Sequence, residues 1–217
     1  MNIEQARFNM IEQQIRPWDV LDTSVLSLLS AVRREDFVPA THRSLAFMDL
    51  EIPLANGGAL LAPRVEARLV QDLNLSKHDA VLQIGVGTGY ITALLAHKAQ
   101  RVIALDSRED LVAATRQNLR QAGIANADVQ QGNGVDGLRG QAPFDAILLA
   151  GSVQSVPQAL LDQLKVGGRL LAIVGNEPVM QATLITRTGE KQFEHQELFD
   201  TVAARLPGFT NANSFTF

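Results

Sequence analysis

The sequence predicts an α/β fold with a doubly wound, mostly parallel sheet, helices on both faces, a C-terminal antiparallel hairpin and a helical extension at the N-terminus. Two observations lead there. Short apolar segments at 80–84, 101–105, 127–131, 146–150 and 169–174 alternate with stretches of helical periodicity, a pattern of strands buried on both faces by crossover helices. Glycines then occupy alternate positions directly after the first of these segments, where a strand must turn into a helix.

With 217 residues, 46% of them hydrophobic, the chain can enclose one sizeable core. A single domain over 1–217 is expected, residues 1–60 forming a helical and loop extension and 61–217 the core. Residues 2–16 place Ile3, Ala6, Met10 and Ile11 among polar neighbours, a loosely amphipathic helix that should stop at Arg16-Pro17. Asp22 or Thr23 should cap a second helix with Val25, Leu28, Leu29 and Val32 on one side. The Pro/Gly-punctuated stretch 39–63 reads as loop with room for short strands. Pro63 suits the first turn of a helix that buries Val65, Leu69, Val70 and Leu73. A further helix over 109–122 should turn Leu111, Ala114 and Leu119 inward and stop at Gly123. Runs at 181–186 and 191–199, joined by Arg187-Thr188-Gly189-Glu190, form the closing hairpin.

Charge and composition narrow the function. Nineteen basic against 23 acidic residues give a formal charge of −4, no field for holding a phosphate backbone, so nucleic acid is not expected as partner. There is no cysteine, which removes thiolate chemistry and cysteine metal sites and fits a reducing, cytoplasmic setting. No apolar run approaches membrane-spanning length, and no metal site is expected. His42, His78, His97 and His195 stand at no ligand spacing and are assigned no role.

The segment Val81-Leu82-Gln83-Ile84-Gly85-Val86-Gly87-Thr88-Gly89-Tyr90 carries the chemistry. At the C-terminal edge of a doubly wound sheet, Gly85, Gly87 and Gly89 let the backbone approach a ligand beside unpaired helix N–H groups. The spacing is that of a Rossmann-like nucleotide site, but Gly89 falls one position early for a pyrophosphate, which favours S-adenosylmethionine over a dinucleotide. Asp106 ends the next apolar segment, where a carboxylate can accept from both hydroxyls of a ribose.

This segment resembles the methyl-donor motif of the protein-L-isoaspartate O-methyltransferase family. The likeness extends upstream through Gln14-Ile15-Arg16 and Arg34-Glu35-Asp36-Phe37-Val38-Pro39, and downstream through Gly132-Asn133-Gly134, Pro143-Phe144-Asp145 and Gly167-Gly168. It implies S-adenosylmethionine as cofactor, Gln83, Asn133 and Gly134 joining the glycines and Asp106 in holding it, and methylation of a carboxylate on damaged aspartyl residues of a protein or peptide. Asp49 lies in the loop that resembles the family's substrate-facing edge. Within Gly57-Gly58-Ala59-Leu60-Leu61-Ala62-Pro63, Leu61 takes the place of the family's active-site serine and Ala59 that of its threonine, while Gln83 and Asn133 replace acids. Amides accept weaker hydrogen bonds than carboxylates, so cofactor binding is expected to be weakened rather than lost. Leu60 and Leu61 also suit a small apolar acceptor. A diverged methyltransferase for such an acceptor, or a non-catalytic S-adenosylmethionine-binding module, are the alternatives, and the oligomeric state stays open.

Overall fold

The computed structural model describes residues 2–55 and 57–209. Helix α1 (Ile3–Met10) starts from Asn2, whose side chain accepts from the Gln5 amide. It continues as a π-helical turn over Ile11–Ile15 and a 3-10 turn over Arg16–Trp18. The helix therefore passes the predicted stop, because Pro17 falls in the opening turn of the 3-10 segment, where its missing N–H costs nothing. Asp22 is the cap of α2 (Thr23–Ala31), accepting from Ser24 and Val25. The stretch expected to be loop holds a small hairpin, β1 (Ile52–Pro53) with β2 (Ala59–Leu60). Helix α3 (Pro63–Asp72) follows and buries the expected Val65, Leu69 and Val70.

Strand β3 (Ala80–Ile84), helix α4 (Tyr90–Lys98), strand β4 (Arg101–Asp106), helix α5 (Glu109–Gln121) and strand β5 (Ala127–Gln131) make the first wound half. Beyond them come β6 (Phe144–Val153), the one-turn α6 (Gln158–Leu161), β7 (Leu164–Asn176), β8 (Val179–Arg187) and β9 (Phe193–Asp200). The sheet order is β5-β4-β3-β6-β7-β8-β9. Pairing is parallel from β5 through β7 and antiparallel from β7 to β9. β6 and β7 outrun their predicted lengths because register shifts in their pairing absorb Asp145 and the Leu149–Gly151 stretch without ending the ladder.

In α5 the buried stripe is Val112, Thr115 and Leu119, one residue beyond the predicted Leu111 and Ala114. Leu111 instead turns toward the cavity described below.

The two faces of the sheet are covered unequally. Val81, Ala104, Ala146 and Leu148 point into a core shared with the first five helices. Their alternates Leu82, Ile103, Ile147 and Leu149 meet α6 and a C-terminal segment carrying Leu206 and Phe209. Only 3-10 turns at Gly134–Asp136 and Arg139–Gln141 bridge β5 to β6, so the second face depends on the chain's end for cover. Residues Met10 through Phe47 belong to the first core; the N-terminal extension is built into it.

Asp79, just before β3, ties that strand to β7. Its carboxylate accepts from the Ser76 amide and hydroxyl and from Arg169 at 2.9 Å. Burial works against the charge, yet the bonds from Ser76 and Arg169 together outweigh it and hold the carboxyl below its ordinary range. A carboxylate with a depressed folded-state pKa stabilises the fold above its unfolded value of about 3.9, and the contribution disappears as pH falls through the folded value. Asp79→Asn is expected to lower stability near neutral pH and to flatten the acid limb of the stability curve. Denaturant unfolding across that range measures both effects, and an acid limb identical to wild type would exclude Asp79 as its source.

Candidate functional site

Strand β3 lies between β4 and β6 with crossovers leaving in opposite directions, so a crevice opens beyond its C-terminal end. The loop after β3 lines it. Gly85, Gly87 and Gly89 all have positive φ, and Gly89 caps α4. A Cβ on Gly85 would stand 2.6 Å from Leu206 Cδ2 and 3.4 Å from the Ala150 carbonyl, so a side chain has no room there. Asp106, at the end of β4, anchors the loop: one carboxylate oxygen accepts from the Val86 amide and the other from the Arg108 amide, both at 3.0 Å. Each oxygen keeps a lone pair for a ligand. Thr88 donates its hydroxyl to the Phe37 carbonyl, fixing the loop to the N-terminal segment.

The crevice holds a cavity of about 270 Å³. Its lining comes from distant parts of the chain: Gly57–Leu61, Glu66 of α3, the glycine loop, Asp106 and Arg108, Ala150–Gly151, and Ala204–Pro207. A smaller recess sharing Gly85, Asp106, Leu206 and Pro207 runs on to Ser107 and Gly134. Gly134 therefore lines the recess and Glu66 the main cavity, with Asp106 common to both.

One buried guanidinium organises the opposite wall. Arg34 Nε donates to Glu66 Oε2 at 3.0 Å, Nη1 to the Ala46 carbonyl at 2.7 Å and Nη2 to the Leu61 carbonyl at 2.8 Å. Its Cζ lies 5.6 Å from the centroid of the Tyr90 ring. Burial pushes the Glu66 carboxyl up from its ordinary value and Arg34 opposes that shift. Burial also pushes the Tyr90 phenol up, and its hydroxyl has no hydrogen-bond partner.

Most of the residues singled out in the sequence meet here. Gly85, Gly87, Asp106 and Leu61 line the cavity, Gly134 lines the recess, and Gly89 shapes the loop. Gln83 does not reach the cavity: fully buried, it donates to the Gly85 carbonyl at 2.8 Å and leaves Oε1 without a partner. Its position on β3 has the parity of Val81 and so turns to the face covered by the first core. Asn133 accepts from Val135 as the cap of a 3-10 turn and lies against Gly208. Asp49 is paired with Arg64, which stacks on Trp18. Glu66 and the Leu206-Pro207 segment were not singled out. Glu66 had a legible signal, a charged residue three and four positions before Leu69 and Val70 on the apolar stripe of α3. Leu206 had none, since its partners are far away in sequence. Among the described residues no cluster could hold a metal ion, and no helix is long and apolar enough to cross a membrane.

The profile of the protein-L-isoaspartate(D-aspartate) O-methyltransferase family matches residues 5–204. The chain belongs to this family. Among its relatives, a protein-L-isoaspartate O-methyltransferase of Koribacter versatilis is 36% identical over 89% of this chain and 87% of its own. That of Methanoculleus marisnigri is 37% identical over 79% of this chain and 78% of its own. A solved protein-L-isoaspartate O-methyltransferase superposes with a TM-score of 0.78 at 22% identity, covering 91% of this chain, which spans 64% of that structure. A Plasmodium falciparum structure, described as a member of the same group in complex with S-adenosyl-L-homocysteine, gives 0.78 at 21% identity over 95% of this chain and 98% of its own. At those identities the structures speak for the fold, which within this family is the mostly parallel sheet described above.

The glycine loop can be tested by separating backbone strain from crowding. Gly123 has a φ of +71° but open space around it, whereas Gly85 has a φ of +84° and Leu206 against it. Gly123→Ala is expected to cost about 1–2 kcal/mol, the strain of a left-handed residue. Gly85→Ala is expected to cost more and to abolish ligand-induced stabilisation. Thermal unfolding of both variants provides the comparison, and equal losses would mean that Leu206 does not crowd the loop.

Proposed function

We propose that this protein is an S-adenosylmethionine-dependent methyltransferase that methylates a carboxylate of isoaspartyl residues in damaged proteins or peptides. The observation that carries this is the continuity of one cavity from Asp106 and the glycine loop to Leu61, in a chain whose family uses S-adenosylmethionine. The residues present fit that donor. The Gly85 cradle has no space for a Cβ, and Asp106 offers lone pairs to a ribose from a position braced by two amides. Gly134 borders the recess that shares Asp106 with the cavity, and we place the base on that side. Gly85, Gly87, Gly89, Asp106 and Gly134 are thus the cofactor set we propose. Gln83 and Asn133 act behind them, by holding the loop and the turn. Because Arg34 completes the cavity wall from the N-terminal extension, residues 1–217 are read as one domain.

The donor supplies an electrophilic methyl group on a positively charged sulfur. A carboxylate acceptor, with a pKa near 4, is already ionised at neutral pH, so no side chain needs to remove a proton. The protein's task is alignment and exclusion of water, and correct placement alone can contribute roughly 7–11 kcal/mol. Leu54, Leu60, Leu61 and Ile91 keep the acceptor end dry. They donate no hydrogen bond to a carboxylate, so the acceptor is held less firmly than a hydroxyl at position 61 would hold it. The same apolar wall supports a second reading, a more apolar acceptor, which a panel of small acceptors assayed beside an isoaspartyl peptide would separate from the first.

Calorimetric titration with S-adenosylmethionine should show binding to wild type that Asp106→Ala weakens by at least roughly tenfold, the scale of a charge-assisted hydrogen bond. An unchanged dissociation constant would sink the ribose assignment.

Leu61→Ser should raise turnover of an isoaspartyl peptide by roughly 10- to 150-fold, equivalent to about 1.5–3 kcal/mol of hydrogen bonding to a charged group. Cofactor affinity should not change in parallel. Steady-state assays decide the matter, since a wild type as fast as the variant would show that Leu61 limits nothing.

A further inference from the structure

We infer that Glu66 binds the ammonium group of the donor's amino-acid tail and supplies from α3 the negative charge that β3 lacks at Gln83. The inference rests on the S-adenosylmethionine reading above and extends it to a residue outside the glycine motif.

Three observations carry it. Glu66 lines the cavity although the residue is 3% exposed. Its Oε2 is engaged by Arg34, while Oε1 has no hydrogen bond and is absent from the polar atoms that are both sealed and unpartnered, among them Gln83 Oε1 and the Tyr90 hydroxyl. Oε1 is therefore open to the cavity, the space that Glu66 borders.

The second observation is order along the site. Gly134 and Ser107 line the recess and not the main cavity, Glu66, Tyr90 and Leu61 line the main cavity and not the recess, and Asp106 lines both. A ligand with its ribose on Asp106 and its base toward Gly134 carries its amino-acid tail toward Glu66. The third is chemistry. Each nitrogen of Arg34 donates to Glu66, Ala46 or Leu61 and Arg34 does not line the cavity, so what the pair presents there is the acceptor oxygen of Glu66. An oxygen lone pair is matched by N–H donors, which an ammonium has and a sulfonium lacks. Leaving that carboxylate unmet in a dry cavity is costly, whereas a second cation beside it favours its ionised form.

The test compares three adenosine ligands by calorimetry on wild type, Glu66→Gln and Glu66→Leu. S-adenosylmethionine and S-adenosylhomocysteine both carry the ammonium, and 5′-methylthioadenosine has no amino-acid tail. Both substitutions should weaken the first two by about tenfold or more, the scale of one charge-assisted hydrogen bond, and leave 5′-methylthioadenosine unchanged. That unchanged binding also serves as the check that each variant is folded. Equal loss for all three ligands would mean general loosening of the site and overturn the inference. Loss for S-adenosylmethionine alone would assign Glu66 to the sulfonium and overturn it too. Unaltered affinity for all three, with a changed KM for isoaspartyl peptide, would place Glu66 on the acceptor and equally overturn it. In each of those cases wild type still binds and the methyltransferase reading stands; failure of wild type to bind any of the three would remove both.

Discussion

The Arg34 guanidinium is the constraint on which the candidate site depends. Buried to 1% exposure, it has to spend its N–H groups inside the protein, because an unpaired buried charge is far more costly than a paired one. It spends them on three separate pieces of chain: the Ala46 carbonyl in the N-terminal extension, the Leu61 carbonyl before α3, and the Glu66 carboxylate within α3. Those bonds fix how far Leu61 and Glu66 stand apart and how both face the glycine loop across Tyr90. Such a pair adds little net stability over a well-packed apolar substitute, but only one arrangement of the three segments satisfies it. Geometry at the wall is what this interaction supplies.

The opposite wall is closed by different means. The short connection between β5 and β6 leaves the second face of the sheet without a full crossover helix, and the C-terminal segment carrying Leu206 and Phe209 lies over it instead. The Leu206 amide donates to the Ser152 carbonyl there and the Ser152 amide to the Ala204 carbonyl, both at 2.9 Å. Leu206 packs over Gly85 and Gly151, so a segment that completes the core also completes the cavity. Asp106 bridges the two walls through the Val86 and Arg108 amides. Arg108 reaches on to the Ala55 and Gly57 carbonyls, which draws the β1–β2 hairpin toward the site.

How much of this was legible can be judged residue by residue. β3 and β5 run where their apolar patterns placed them, Asp22 caps α2, and Gly85 to Asp106 bound a cavity at the edge where a doubly wound sheet binds ligands. What the sequence left open has one character. α5 turns Val112 and Thr115 inward rather than Leu111 and Ala114, because a helix this polar tolerates a rotation that only its neighbours settle. Gln83 stands in the motif yet faces the core, since strand alternation outweighs motif membership. Glu66 sat on an apolar stripe in plain view, but its worth as a wall residue required Arg34, 32 positions earlier.

The sequence by itself determined the wound sheet, the ligand edge and the family, because those rest on local signals: periodicity of two or 3.6, a glycine spacing, an acid one strand further on. The tertiary structure alone decided what surrounds the ligand. Leu61, Glu66 and Leu206 come together through burial and through hydrogen bonds between segments separated by as many as 153 positions. Burial rewards any apolar surface removed from water and names no partner in advance. Which carboxylate faced the cavity was therefore set by the packing of the whole chain around one buried arginine.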